Sequence, residues 1–302
     1  MIVQRTTYQT NIFEYLLNKV SDYIQLVKLR LSFLVVFSSV MGYLLASYYT
    51  FDFFAFLGLV IGGFMITAAS NAINQIIEKD IDKLMKRTMN RPLPSGRMTI
   101  LEASVASALL TIGGIFFLWT YTNPLCTSLA LLALIIYTLV YTPLKRVSSI
   151  SVFVGAFPGA SAVLLGWVSV TGTLSYEALL IFAIQFIWQF PHTWSIAWLL
   201  ADDYKKVGIK MTPSKIARSK NTAFQSALYA FFLIPISLLP AQFLGLSLLS
   251  TIVIVLLSIV FFLQALKLFK TCDNKVATRL MLASVIYLPV VQIVLVLDKF
   301  IL

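Results

Sequence analysis

The sequence contains one histidine, two cysteines and only 12 aspartates and glutamates among 302 residues. A single histidine excludes bis-histidine haem ligation within the chain, and there is no CxxCH for covalent haem attachment. Cys126 falls in a predicted helix and Cys272 in a predicted loop; they form no CxxC, and disulfides carry no weight. Charge is scarce too: 12% of residues are charged against 59% hydrophobic, and mean hydropathy is +0.90. No water-soluble core needs that much apolar surface, so the chain reads as an all-α polytopic membrane protein. Soluble domains, low-complexity tracts and long linkers are all lacking. Residues 1–302 are therefore taken as a single transmembrane domain, with 1–28 as a cytoplasmic or interfacial N-terminal segment.

What is present in quantity is apolar sequence. Windows long enough to span fall at about 31–48, 53–77, 101–120, 124–142, 150–170, 176–199, 222–241, 246–266 and 280–297, nine helices in all. With the N-terminus in the cytoplasm, 22 of the 23 lysines and arginines lie on that side, Lys299 being the exception. This is the positive-inside asymmetry. It accounts for the net charge of +11 without any nucleic-acid partner. The basic residues gather in the N-terminal segment (Arg5, Lys19, Lys28, Arg30) and in two long loops, about 78–100 and 201–221, while outer connections such as 49–52 and 121–123 are short. Ile12, Phe13, Leu16, Leu17, Val20, Ile24 and Val27 recur at helical spacing, as in an interfacial amphipathic helix or a packed cytoplasmic one. The 121 residues between Asp82 and Asp203, about four helices, suggest two similar halves with a ninth helix appended.

Residues 74–97, NQIIEKDIDKLMKRTMNRPLPSGR, hold the strongest chemical signal. Asn74, Glu78 and Asp82 recur every four residues, so a helix continuing out of the second span stacks them on one face; Asp80 points elsewhere. Two carboxylates and an amide oxygen suit magnesium, and the following Lys83, Lys86, Arg87 and Arg91 suit a polyphosphate. At the mouth of a membrane helix the combination points to a lipid-soluble diphosphate. The plain alternative, a solvated helix end, fits poorly because acids beside a span are costly.

Three weaker signals accompany it. Asp202 and Asp203, with Lys206 close by, follow the sixth span and are placed to complete the metal site from the opposite wall, or to form an ordinary solvated loop. Lys145 and Arg146 end the fourth span in YTPLKR, as anion ligands or as a membrane-interface anchor. His192 lies in FIWQFPHTWSIAW beside Trp188, a lone intramembrane histidine that serves either packing or a ligand.

Together these segments resemble the UbiA superfamily of intramembrane prenyltransferases, and within it the heme-farnesylating branch. Asn74, Glu78 and Asp82 match the superfamily's first motif; the Met85–Pro92 tail, YTPLKR, Trp188–His192 and Asp203–Met211 are similar to the branch. The likeness runs from about Asp22 to the last helix. Three positions depart from it: Leu199 stands four before Asp203, where the second motif commonly has Asp; Lys28-Leu29-Arg30 replaces the usual Lys-Pro-Arg; and Thr193 follows WQFPH where the family often has an aromatic. The resemblance implies nine spans around a cavity open to the cytoplasm, in a bacterial plasma (inner) membrane. It implies transfer of farnesyl from farnesyl diphosphate to the 2-vinyl group of heme b. Magnesium would sit on Glu78, Asp82, Asp203 and Asp202, with Asn74 beside it. Arg87, Arg91, Lys145, Arg146 and Lys206 would take the diphosphate, and His192 and Trp188 the heme. Heme A synthase or oxidase assembly proteins are the implied partners. A prenyltransferase acting on a quinone-ring precursor and a transporter of phosphorylated lipid are the alternative readings.

Overall fold

The computed structural model describes residues 12–48 and 50–301. Arg5 and Tyr49, which entered the charge count and the first outer connection, lie outside the described residues. Within them every regular element is helical. Eight helices have the length and apolarity to cross a membrane: Leu29–Ala46, Phe53–Ile77, Ile100–Tyr121, Pro124–Val147, Ser151–Thr171, Lys220–Phe243, Leu248–Thr271 and Asn274–Ile301. The expected sixth span is also a helix, Tyr176–Leu199, of 24 residues. It falls short in apolarity because Gln185, Gln189, His192 and three tryptophans dilute it. These nine long helices are numbered first to ninth in chain order.

Local chemistry sets their ends. Side chains of Asp52, Thr99, Asn123, Ser175, Ser219 and Ser247 each accept a backbone N–H at a helix start, which removes one orphan donor from the first turn. Pro235 sits inside the seventh helix, which is broken at Ser237 before the short turn Leu239–Phe243. In the fourth helix, Ile136–Tyr141 is wound as a π-helix before the α-helix resumes at Thr142. Such a bulge rotates the remainder of the helix about its axis, and so re-aims Thr142 and Lys145 in the last turns.

The bundle closes as a ring. The first helix packs on the second, fifth and ninth; the second also packs on the third and fourth, the fourth on the fifth, the fifth on the sixth, and the sixth, seventh, eighth and ninth each on the next, with the ninth returning to the sixth. Glycine makes two of these contacts close. A Cβ at Gly42 would strike the Val163 carbonyl, and one at Gly166 the Ser39 carbonyl, so the first and fifth helices meet backbone to backbone. Gly62 and Gly114 do the same between the second and third. Near mid-membrane Gln185, Gln292 and Ser38 bond to one another, and Gln185 also bonds the Gly159 carbonyl, so that this buried polarity is satisfied.

The N-terminal helix, Ile12–Leu26, buries only Asp22 and Leu26. Ile12, Phe13, Leu16, Leu17, Val20 and Ile24 all face outward, which favours the interfacial reading over a packed cytoplasmic helix. Its polar side is tied to the second-to-third loop by Asp22–Arg97 at 2.8 Å and to the start of the third helix by Lys19–Glu102 at 3.0 Å.

Candidate active site

The second helix ends at Ile77, and Glu78 takes non-helical dihedrals before a single turn, Lys79–Asp82. The expected uninterrupted helix is therefore broken at Glu78. Its pitch survives: Glu78 N–H bonds the Asn74 carbonyl at 3.0 Å and Asp82 N–H the Glu78 carbonyl at 2.8 Å. Asn74, Glu78 and Asp82 are all buried, at 2%, 8% and 1% exposure. Acids withdrawn this far from water demand compensation.

Each finds a cation from a different part of the chain. Lys145 Nζ lies 2.6 Å from Glu78 Oε1, and Arg91 Nη1 lies 2.7 Å from Asp82 Oδ2. Lys28 Nζ donates to Asn74 Oδ1 at 3.2 Å, while Asn74 Nδ2 donates to Glu78 Oε2 and to Thr142 Oγ1, each at 3.0 Å. Asp82 Oδ1 is buried without a hydrogen-bond partner among the described residues. A hard, unpartnered oxygen beside a second carboxylate fits a magnesium ion.

Lys28 is the functional residue that sequence reasoning passed over. It enters the first helix with φ 48°, a left-handed conformation unusual for a non-glycine residue and costing about 1–2 kcal/mol. Neighbours enforce it: Gln75 Nε2 donates to the Gln25 and Leu26 carbonyls, and Asn71 Nδ2 to that of Val27. Burial pushes the Lys28 ammonium down to about 7; Arg91 and Lys145 push the same way, and Glu78 and Asp82 oppose them. Asn71 and Gln75, polar residues four apart in an apolar helix, were the signal available in the sequence.

The other expected ligands are placed differently. Among the described residues no group of three or more His, Cys, Asp or Glu side chains converges as a metal site. Asp203 pairs with Lys206 at 3.1 Å, and exposed Asp202 pairs with Arg218 at 2.8 Å. Both stand on the short helix Ala201–Lys206, each with its own basic partner. The segment does overhang the site, since Tyr204 feels the charges of Arg87, Lys145, Glu78 and Arg91 while burial raises its phenol. Lys210 N–H bonds the Lys145 carbonyl at 2.7 Å, tying the loop after the sixth helix to the end of the fourth. Arg87 and Arg146 are exposed.

Below the charged cluster lies a cavity of about 230 Å³ between the first, second, fourth, fifth and sixth helices. Its wall is mostly apolar, with Asn71 from the second helix and Tyr137 and Tyr141 from the π-helix, the Tyr141 ring centre lying 4.9 Å from Lys145 Nζ. Gln189 and Thr193 line it from the sixth helix, whereas His192 does not. His192 turns to the ninth helix, its Nδ1 2.7 Å from Ser284 Oγ, and stacks on Trp188 with ring centres 4.7 Å apart. Trp188 itself donates to the Ser284 carbonyl at 2.9 Å. Both residues thus bridge helices, away from this cavity.

A buried amide–acid–acid row, with Lys28, Lys145 and Arg91 against it and an apolar slot below, suits a diphosphate with an apolar tail, and comparison with known proteins agrees. The UbiA prenyltransferase family profile matches residues 35–287. The chain belongs to the UbiA prenyltransferase family. Protoheme IX farnesyltransferase of Cytophaga hutchinsonii is 48% identical over 92% of this chain and 97% of its own length. That of Flavobacterium psychrophilum is 46% identical over 93% and 95%. Among solved structures, a digeranylgeranylglyceryl phosphate synthase superimposes with TM-score 0.79 at 21% identity, over 94% of this chain and all of its own. A UbiA homologue from Archaeoglobus fulgidus bound to GPP and Mg2+ gives 0.64 at 18% identity, over 91% and 99%. These structures establish a shared UbiA fold.

Proposed function

We propose that this UbiA-family chain transfers the farnesyl group of farnesyl diphosphate to a vinyl group of heme b. The observation that carries the reading is the buried Asn74–Glu78–Asp82 row with Lys28, Lys145 and Arg91 against it, set over an apolar cavity. The relatives named protoheme IX farnesyltransferase supply the acceptor.

Magnesium, held by Glu78 and Asp82, would supply positive charge to the diphosphate when bound. Lys145 and Arg91 add cations in a site largely closed to water, where they act more strongly than in bulk solvent, and Lys28 adds a third while it is protonated. As the C1–O bond of the farnesyl group breaks, its electron pair leaves with the diphosphate. Tyr137, Tyr141 and the apolar wall keep water from the allylic cation. The terminal vinyl carbon then bonds to C1, moving the positive charge to the carbon beside the porphyrin. Water adds there and loses a proton, giving a hydroxyethylfarnesyl side chain. Lys145 bonded to Glu78 and Lys28 bonded to Asn74 hold the row in register before substrate arrives.

The test is to incubate membranes carrying the protein with labelled farnesyl diphosphate and heme b. Label on the porphyrin is the expected result. Label on an aromatic acid marks a quinone-precursor prenyltransferase instead, and label bound but never transferred marks a transporter.

A further inference from the structure

The second helix carries more than the charged row. Gly63, Thr67 and Asn71 face the cavity at four-residue steps and continue the line of Asn74 and Glu78 away from the cytoplasm. Gly63 lies at the deep end, with Ser39, Ala130 and Leu165 of the neighbouring helices. Its neighbour Gly62 has a packing reason to be glycine, since a Cβ there would meet Leu118 and the Gly114 carbonyl. Gly63 has none: a Cβ there would meet no atom within 4 Å.

We propose that Gly63 is a specificity-determining position that sets the length of the prenyl chain by leaving room for its third isoprene unit. Gly63 is eleven residues from Asn74, a depth of about 16 Å at a rise of about 1.5 Å per residue. With bonds of about 1.5 Å and near-tetrahedral angles, an extended farnesyl chain measures about 14 Å, geranyl about 9 Å and geranylgeranyl about 19 Å. With C1 level with Asn74, farnesyl ends between Thr67 and Gly63, geranyl ends at Thr67, and geranylgeranyl overruns the floor. A side chain at Gly63 therefore intrudes on the last unit of farnesyl and on nothing a geranyl chain touches. Because the space is open and glycine is a poor helix former, filling it does not threaten the fold.

The proposal rests on the prenyl diphosphate reading of the same site. It is tested by binding of geranyl, farnesyl and geranylgeranyl thiolodiphosphate, non-reacting analogues, to purified wild-type protein, Gly63→Ala and Gly63→Phe. No heme is required. In the wild type, farnesyl is expected to bind tightest. In Gly63→Phe the farnesyl analogue should lose about tenfold or more relative to geranyl, a usual scale for a mismatched apolar pocket, with Gly63→Ala between. An unchanged preference in Gly63→Phe overturns the ruler while leaving the enzyme a prenyl diphosphate binder. Failure of the wild type to bind any of the three overturns both readings.

Discussion

Lys145, at the end of the fourth helix, lies 2.6 Å from Glu78, and the side chains of both are about nine-tenths buried, at 9% and 10% exposure. Neither charge is tolerable there alone, since an unpaired buried ion costs several kcal/mol. The pair fixes the end of the second helix to the fourth at the proposed diphosphate site.

Removing one member should therefore harm the fold as well as the chemistry. Lys145→Met is expected to lower stability by about 3–5 kcal/mol, the usual cost of stranding a buried charge. The double variant Lys145→Met/Glu78→Gln should regain most of that while farnesyl transfer stays lost. Thermal unfolding in detergent and an activity assay separate the two effects. Equal instability in single and double variants would show that the pair is not coupled.

Asp82→Asn keeps the shape but removes the charge, and its single carboxamide oxygen can serve Arg91 or a metal but not both. Turnover should fall at least about 100-fold, the scale of losing one strong electrostatic stabiliser. Yield of inserted protein should hold. Near-normal activity in a well-folded preparation would remove Asp82 from the metal site.

Lys28 gives a pH signature. Its folded value is lowered to about 7, so between there and the ordinary 10.5 the unfolded chain binds the extra proton, and stability rises with pH across that window. Ligand binding runs the other way, since the charged form, which attracts the diphosphate, is lost as pH rises. At about pH 8 only about a tenth of Lys28 stays charged. Metal-free affinity for farnesyl thiolodiphosphate, relative to Lys28→Arg, should fall by up to about tenfold from about pH 6 to about pH 8. Parallel profiles for the two proteins would place Lys28 outside the anion site.

For topology, cysteines at Ser95 and Ser214, in a background lacking Cys126 and Cys272, should label in intact cells only with a membrane-permeant reagent. The charge partition across the helices motivates this. Labelling of either by an impermeant reagent would refute the shared cytoplasmic side.

How much of this was legible in the chain varies by element. Apolar windows located all nine long helices, because length and hydropathy are local properties; the break at Glu78 was missed because nothing between Asn74 and Asp82 is a helix breaker. Asn74, Glu78 and Asp82 were visible as a row because one helix repeats every 3.6 residues. Lys28 was not: its role depends on Asn71 and Gln75 holding the preceding carbonyls, across more than forty residues of chain.

By itself the sequence determined a membrane-spanning helical chain, its charge asymmetry and a row of oxygen ligands at the end of the second span. Only the tertiary structure decided which cation answers which acid. It also turned His192 toward Ser284, held Asp202 and Asp203 against Arg218 and Lys206, and left Gly63 facing open space. The reason is physical. Spacing along a helix tells which residues share a face, but what that face meets is set by close packing between helices, here by glycines such as Gly42, Gly62 and Gly166, and by the π-helical turn that aims Lys145.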